Sequence, residues 1–142
     1  MKIRDVMNRH IEFADPDDPV TELAVTMGDL DVGCLPIGTP DDPKGVVTDR
    51  DILYRVVARG LDSSQIRARD VMSSPLISCR ADDSLQAAMD TMTAHRVRRL
   101  AVTQGSGPVI GWVTLADLSR TLLLESDTVQ TALRELTRES AG

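Results

Sequence analysis

The stretch GVVTDRDI at residues 45–52 returns as GWVTLADL at residues 111–118, with Gly, Val, Thr and Asp at the same places. Around it the repetition widens. RDVM at residues 4–7 comes back at 69–72, an offset of 65, and DDPVTELAVTM (17–27) faces DDSLQAAMDTM (82–92) at the same offset. VGCLPI (32–37) faces VRRLAV (97–102), and past the next loop Gly45 matches Gly111 at an offset of 66. The duplication covers all but about the last sixteen positions, so this chain is two copies of one unit.

Each copy has the same order of signals. RDVM leads into a short extended piece, HIEFA (10–14) or PLISC (75–79). A helix follows, with Asp17 or Asp82 as the expected N-cap. Its apolar residues, Val20, Leu23, Ala24 and Met27 or Leu85, Ala88, Met89 and Met92, fall at helical spacing. Then come a strand (CLPI or RLAV), a Gly/Pro/Asp loop, and a second strand (VVT or WVT) running into another helix. The expectation is β-α-β-β-α twice, an α/β (α+β) fold with helices covering small sheets. One copy of about 60 residues is marginal alone, so the two are expected to pack sheet to sheet. The expected bounds are residues 1–62, 63–126 and a helical tail at 127–142, where Val129, Leu133 and Leu136 share a stripe.

Composition narrows the function. The net charge is −6, with no overall attraction to nucleic acid or an anionic membrane, and any bound anion needs a local cluster of donors. One Phe, one Tyr and one Trp are too few for a base-stacking platform. No apolar run approaches the roughly 20 residues that span a membrane, and the first residues resemble no signal peptide. A cytoplasmic location follows as the expectation. Cys34 and Cys79 form no metal-type pair and read as small buried hydrophobes, with a redox or intersubunit disulfide as the alternative. His10 and His95 are the only histidines, and no nucleophile–base pair, metal spacing or phosphate loop is visible; no enzyme is expected.

Thr48-x-x-Asp51 and Thr114-x-x-Asp117 have the spacing of a capping box, which by itself binds nothing. The same geometry also suits a ribose-phosphate. A helix start presents N–H groups and the positive end of a dipole, a Thr hydroxyl donates to phosphate, and an Asp accepts from two neighbouring hydroxyls. Gly45 and Gly111 are expected to leave room for a flat base.

Tandem β-α-β-β-α units, each closed by G-h-h-T-x-x-D (h, hydrophobic) and introduced by RDVM, resemble a CBS-domain pair, or Bateman module. DVGCLPI and TDRDI bring the chain nearest to small stand-alone bacterial members of the hypoxic-response type. The resemblance spans residues 1–125 and implies two units related by a pseudo-two-fold, with ligand clefts between them. It implies an adenosine-containing ligand such as AMP, ADP, ATP, NAD or S-adenosylmethionine, with no required cofactor and no metal. Asp51 and Asp117 would hold ribose, Thr48 and Thr114 would sit near phosphates, and the base would lie against HIEF and PLIS. Arg98 and Arg99 would contact phosphate, where the first copy has Gly33 and Cys34; Arg50 and Arg120 flank the aspartates. The plainer account of HRVRR is a solvated helix end, and Asp49 counts against phosphate beside Thr48. The family likeness also implies a homodimer through faces such as ELAVTM and AAMDTM, signalling to a separate, unknown protein partner. The alternative is a nucleotide-free dimeric interaction or stress protein switched through cysteine.

Overall fold

The computed structural model describes residues 1–141, with side chains to residue 137. The first unit comprises α1 (Val20–Leu30), β1 (Cys34–Gly38), β2 (Pro43–Thr48) and α2 (Asp49–Ile52), which continues as a π-helical turn over Leu53–Val57. The second begins with a short helix, α3 (Ala68–Val71), then β3 (Ser78–Arg80), α4 (Leu85–His95), β4 (Arg99–Thr103), β5 (Val109–Thr114) and α5 (Leu115–Glu125). The tail is one helix, α6 (Asp127–Ala141).

In the second unit β3 pairs parallel to β4, which pairs antiparallel to β5. The first unit has the antiparallel pair β1–β2, but its opening strand shrinks to a bridge between Ala14 and Ile37. The reason is Pro36. In the second unit Ala101 N–H donates to the Ile77 carbonyl at 3.0 Å. Pro36 holds the corresponding place and has no N–H to extend the ladder.

The opening segments exchange units. Ile3 is fully buried in a core with Leu85, Met92, Leu100, Val113 and Leu118. Ala68 and Val71 lie in the other core, with Leu23, Ile37, Val47 and Val56. The exchange is symmetric: Ile3 N donates to Asp83 O and Ala68 N to Asp18 O, both at 2.9 Å. The bridges Lys2–Ser84 and Asn8–Trp112 have their counterparts in Arg67–Pro19 and Ser73–Val46. This matched set of contacts is the pseudo-two-fold.

The exchange also explains Asp17 and Asp82, which do not cap the helices behind them. Asp17 pairs with Arg69 and Asp82 with Arg4, tying each RDVM segment to the other unit. Ser84 caps α4, its hydroxyl accepting from Ala87 N at 3.0 Å. Pro19 precedes α1 with no side-chain cap.

The repeated glycines serve these crossings. A Cβ on Gly45 would stand 2.4 Å from the Ser73 carbonyl oxygen, and one on Gly111 would stand 2.5 Å from Met7 Sδ. They make room for the neighbouring unit's opening segment rather than for a base.

Large apolar residues left exposed concentrate on the second helices: Leu53, Tyr54 and Val57 after α2, and Leu122, Leu123 and Leu124 on α5. On α1 only Val25 and Leu30 join them, while the AAMDTM face of α4 turns Ala88 and Met92 into its own core. On α6, Leu133 and Leu136 are exposed and Val129 is half-buried.

Candidate functional site

Thr48 ends β2 and Thr114 ends β5, and each caps the helix that follows. Asp51 N donates to Thr48 Oγ1 at 3.1 Å, and Thr48 N donates back to Asp51 Oδ2 at 2.9 Å. In the second unit the matching distances are 3.1 Å and 3.4 Å. The capping boxes therefore form, using one oxygen of each carboxylate. The other oxygen faces a cation: Asp51 Oδ1 is 3.7 Å from Arg55 Nε, and Asp117 Oδ1 is 3.6 Å from Arg120 Nη1. Each Thr hydroxyl accepts within its cap and keeps its own hydrogen to donate.

Two clefts lie where the units meet. Cleft I, of about 600 Å³, gathers Thr48, Arg50, Asp51, Arg98 and Arg99 from the sequence expectation. Cleft II, of about 710 Å³, gathers Thr114, Asp117 and again Arg99. Both volumes suit a small organic ligand. Arg120 lines neither; its side chain is 68% exposed beside Asp117. The apolar walls divide as well, with Pro75, Leu76 and Ile77 in cleft I and His10, Ile11 and Leu35 in cleft II.

Strand register explains why the basic pair reaches across. Cys34 stands opposite Thr48 and Arg99 opposite Thr114. Arg98, just ahead of β4, extends into the cleft that holds the other unit's Asp51. Cleft I thus carries Arg50, Arg96, Arg98 and Arg99 against Asp49 and Asp51, while cleft II balances Arg9 and Arg99 against Glu12 and Asp117. Arg50 also lies over the Tyr54 ring, 5.5 Å from its centroid.

The helix start in cleft I does not offer free N–H groups. Asp49 N donates to Gly33 O at 2.9 Å, Arg50 N to Asp49 Oδ1 at 2.8 Å, and Asp51 N to the Thr48 hydroxyl. Asp49, in the same cleft as Arg98, supplies the acceptor that fills this end. Leu115 takes its place in the second unit, with its N–H on Arg98 O at 2.8 Å.

Trp112 was missed as a site residue. It sits on β5 and lines both clefts, sharing the wall of cleft II with Cys34. Its lone aromatic bulk in GWVT, where the first copy has GVVT, was the signal. Arg96, which closes α4 in the left-handed region at φ 54°, was missed too. Burial pushes the Cys34 thiol above its ordinary range; the Arg99 guanidinium and the Trp112 side chain oppose the rise, while Asp49 adds to it. Cys79 is pushed up to about 11 by burial, with Asp83 adding to it. Both thiols are free and buried, and Cys34 borders cleft II.

Among the described residues no helix is long and apolar enough to cross a membrane. None of the described His, Cys, Asp and Glu side chains form a group of three placed to hold a metal.

The sequence matches the CBS domain family twice, over residues 3–58 and 68–124. It is 34% identical to the Bacillus subtilis protein YlbB over 99% of this chain and 86% of that one. It is also 34% identical to hypoxic response protein 1 of Mycobacterium tuberculosis, over 84% of this chain and 83% of that one. A Methanopyrus kandleri relative at 30% identity is longer: the match takes 83% of this chain and 61% of that protein. The solved hypoxic response protein I, with two coordinated zinc ions, superposes with a TM-score of 0.72 at 34% identity, covering 84% of this chain and 98% of that one. A CBS domain protein from Pyrobaculum aerophilum complexed with AMP superposes with a TM-score of 0.75 at 24% identity, covering 95% and 99%. With the exchanged opening segments, the paired T-x-x-D caps and the two interunit clefts, these matches show that the chain belongs to the CBS domain family, as a tandem pair.

Proposed function

We propose that this protein is a ligand-sensing regulatory module that binds an adenosine-containing nucleotide, first in cleft I, and passes the change to a separate partner. One observation carries the reading: Asp51, the Thr48 hydroxyl and arginines 96, 98 and 99 line a single cleft. Asp51 suits a ribose diol, the apolar stretch at 75–77 suits a flat base, and the arginines suit phosphate. AMP in the Pyrobaculum aerophilum neighbour supports the ligand class. Cleft II, balanced in charge, is the secondary site and suits a ligand carrying less phosphate.

A regulatory rather than catalytic role fits the side chains available. The clefts present arginines, hydroxyls and carboxylates held by caps, with His10 in cleft II as the only imidazole. The exposed apolar faces at Leu53, Tyr54, Val57 and Leu122–Leu124 support a homodimer built through the second helices.

A thermal-shift screen of AMP, ADP, ATP, NAD, S-adenosylmethionine and cyclic dinucleotides tests the reading. A ligand at 100 times its Kd stabilises by about 2.7 kcal/mol. The expected result is a shift with an adenine nucleotide that is clearly reduced in Asp51→Asn, which leaves only cleft II to bind. No shift with any member of the panel would return the protein to the nucleotide-free interaction class.

A further inference from the structure

We infer that the two clefts share one phosphate-binding cation, Arg99, and so take anionic ligands in competition with each other. This rests on the nucleotide-binding reading above and adds how the two sites regulate one another. Among the described residues, Arg99 and Trp112 alone line both clefts.

Arg99 opens β4, half-buried and opposite Thr114. Its Nη2 comes within 3.4 Å of where a Cβ on Gly33 would stand, so the bare glycine leaves the guanidinium room at the seam. No carboxylate among the described residues pairs with it directly, although Asp49 Oδ2 stands 3.2 Å from that same Gly33 position on the cleft I side. Among the described residues, Asp51 goes to Arg55, Asp117 to Arg120, Asp82 to Lys2 and Arg4, and Asp17 to Arg67 and Arg69. A half-buried guanidinium with no carboxylate in direct contact gains from an arriving anion on either side.

One guanidinium brings a single positive charge, and a phosphate that takes its bidentate edge leaves less of it for a second anion. Cleft I has Arg50, Arg96 and Arg98 of its own, whereas cleft II without Arg99 keeps only Arg9 against Glu12 and Asp117. Filling cleft I therefore leaves a phosphate in cleft II facing net negative charge. The coupling is reciprocal by linkage, and sites coupled through shared groups typically differ by about 5–150-fold. Trp112, the sole tryptophan, reports either event by its emission.

The test is calorimetric titration of the full chain with ATP, followed in parallel by Trp112 fluorescence. Wild type is expected to bind one ATP per chain in a tight phase, with a second phase at least tenfold weaker. Asp51→Asn, which disables cleft I, should bind ATP in cleft II at least severalfold tighter than that second phase. Arg99→Gln should weaken both phases and bring them together. Arg99→Lys, which keeps the charge, should preserve the antagonism and show that a misfolded variant is not its source. Two ATP molecules bound per chain with equal, independent affinities would overturn this inference alone. Absence of binding by ATP, ADP and AMP to wild type would overturn the nucleotide reading and this inference with it.

Discussion

Val46 and Ser73 exchange both backbone hydrogen bonds, each N to O at 2.9 Å, and so bind β2 of the first unit to the opening segment of the second. Asn8 and Trp112 repeat the contact with the units reversed, at 2.8 and 2.9 Å. A pair of two-way bridges at the centre of the molecule fixes the clefts. Val46 and Ser73 line cleft I, and Asn8 and Trp112 line cleft II. The element that joins the units is also the floor of each site, so a ligand in either cleft bears on the interunit contact.

Gly45 stands beside the first of these bridges, where a Cβ would meet rigid backbone, 2.4 Å from Ser73 O. Gly45→Ala should therefore cost about 1–3 kcal/mol, lowering Tm by roughly 3–10 °C. Gly111→Ala meets Met7 Sδ at 2.5 Å, the end of a flexible side chain that can swing away. It should cost about 1 kcal/mol or less. Equal losses in thermal denaturation would show that both glycines serve something other than the crossing.

The two-unit fold was legible because a repeat with matched caps constrains it twice over. The shortened opening strand was legible as well, in hindsight, since Pro36 is a missing donor written in the sequence. What stayed hidden was the exchange of RDVM segments. Nothing local tells Ile3 to bury itself beside Leu118 rather than Leu23, and both cores are equally apolar. That exchange reassigned Asp17 and Asp82 from caps to interunit ion pairs and reassigned the glycines from ligand room to backbone room. The candidate residues at 48 and 51 could be named from their spacing, and those at 98 and 99 from the family resemblance. That Arg99 and Trp112 face both clefts follows from register and pairing, which only the assembled sheets supply.

Asp51 is both a helix cap and the proposed ribose acceptor, and two substitutions separate the roles. Asp51→Ala leaves the Thr48 hydroxyl cap but removes the return bond from Thr48 N, and should cost about 1 kcal/mol of stability as well as nucleotide binding. Asp51→Asn keeps an acceptor oxygen for Thr48 N but replaces the other oxygen with a donor. It should hold Tm within about 2 °C of wild type while reducing the nucleotide-induced shift to what cleft II alone supplies. A normal nucleotide shift in Asp51→Asn would remove this carboxylate from the site.

The buried thiols give a pH dependence with a definite sign. Cys79 is raised from an ordinary 9.0 to about 11, so between those values the folded chain holds a proton that the unfolded chain has lost. Its contribution to stability is complete below pH 9 and falls as pH rises toward 11, by up to roughly 2–3 kcal/mol. Burial acts on Cys34 in the same direction. Urea denaturation at pH 8 and pH 10.5 should show a smaller loss in Cys79→Ala than in wild type. Parallel losses in the two proteins would mean that the thiol titrates normally in the fold.

Asp49 sets how phosphate can be held in cleft I. Its Oδ1 accepts from Arg50 N at 2.8 Å, and its carboxylate adds a negative charge at the start of α2, where a ligand phosphate would otherwise approach. In the proposed site a monophosphate held close to the ribose would meet that charge, whereas the outer phosphates of ADP or ATP would extend toward Arg96 and Arg98. Wild type should accordingly favour ATP over AMP. Asp49→Asn retains an acceptor for Arg50 N, so the helix start stays satisfied, and it removes the negative charge. AMP should then bind about three- to tenfold tighter, with ATP changed less, narrowing the preference. Calorimetric titration of both nucleotides into both proteins measures the ratio directly. An unchanged ATP-to-AMP ratio would place the phosphates away from Asp49 and leave selection to the arginines alone.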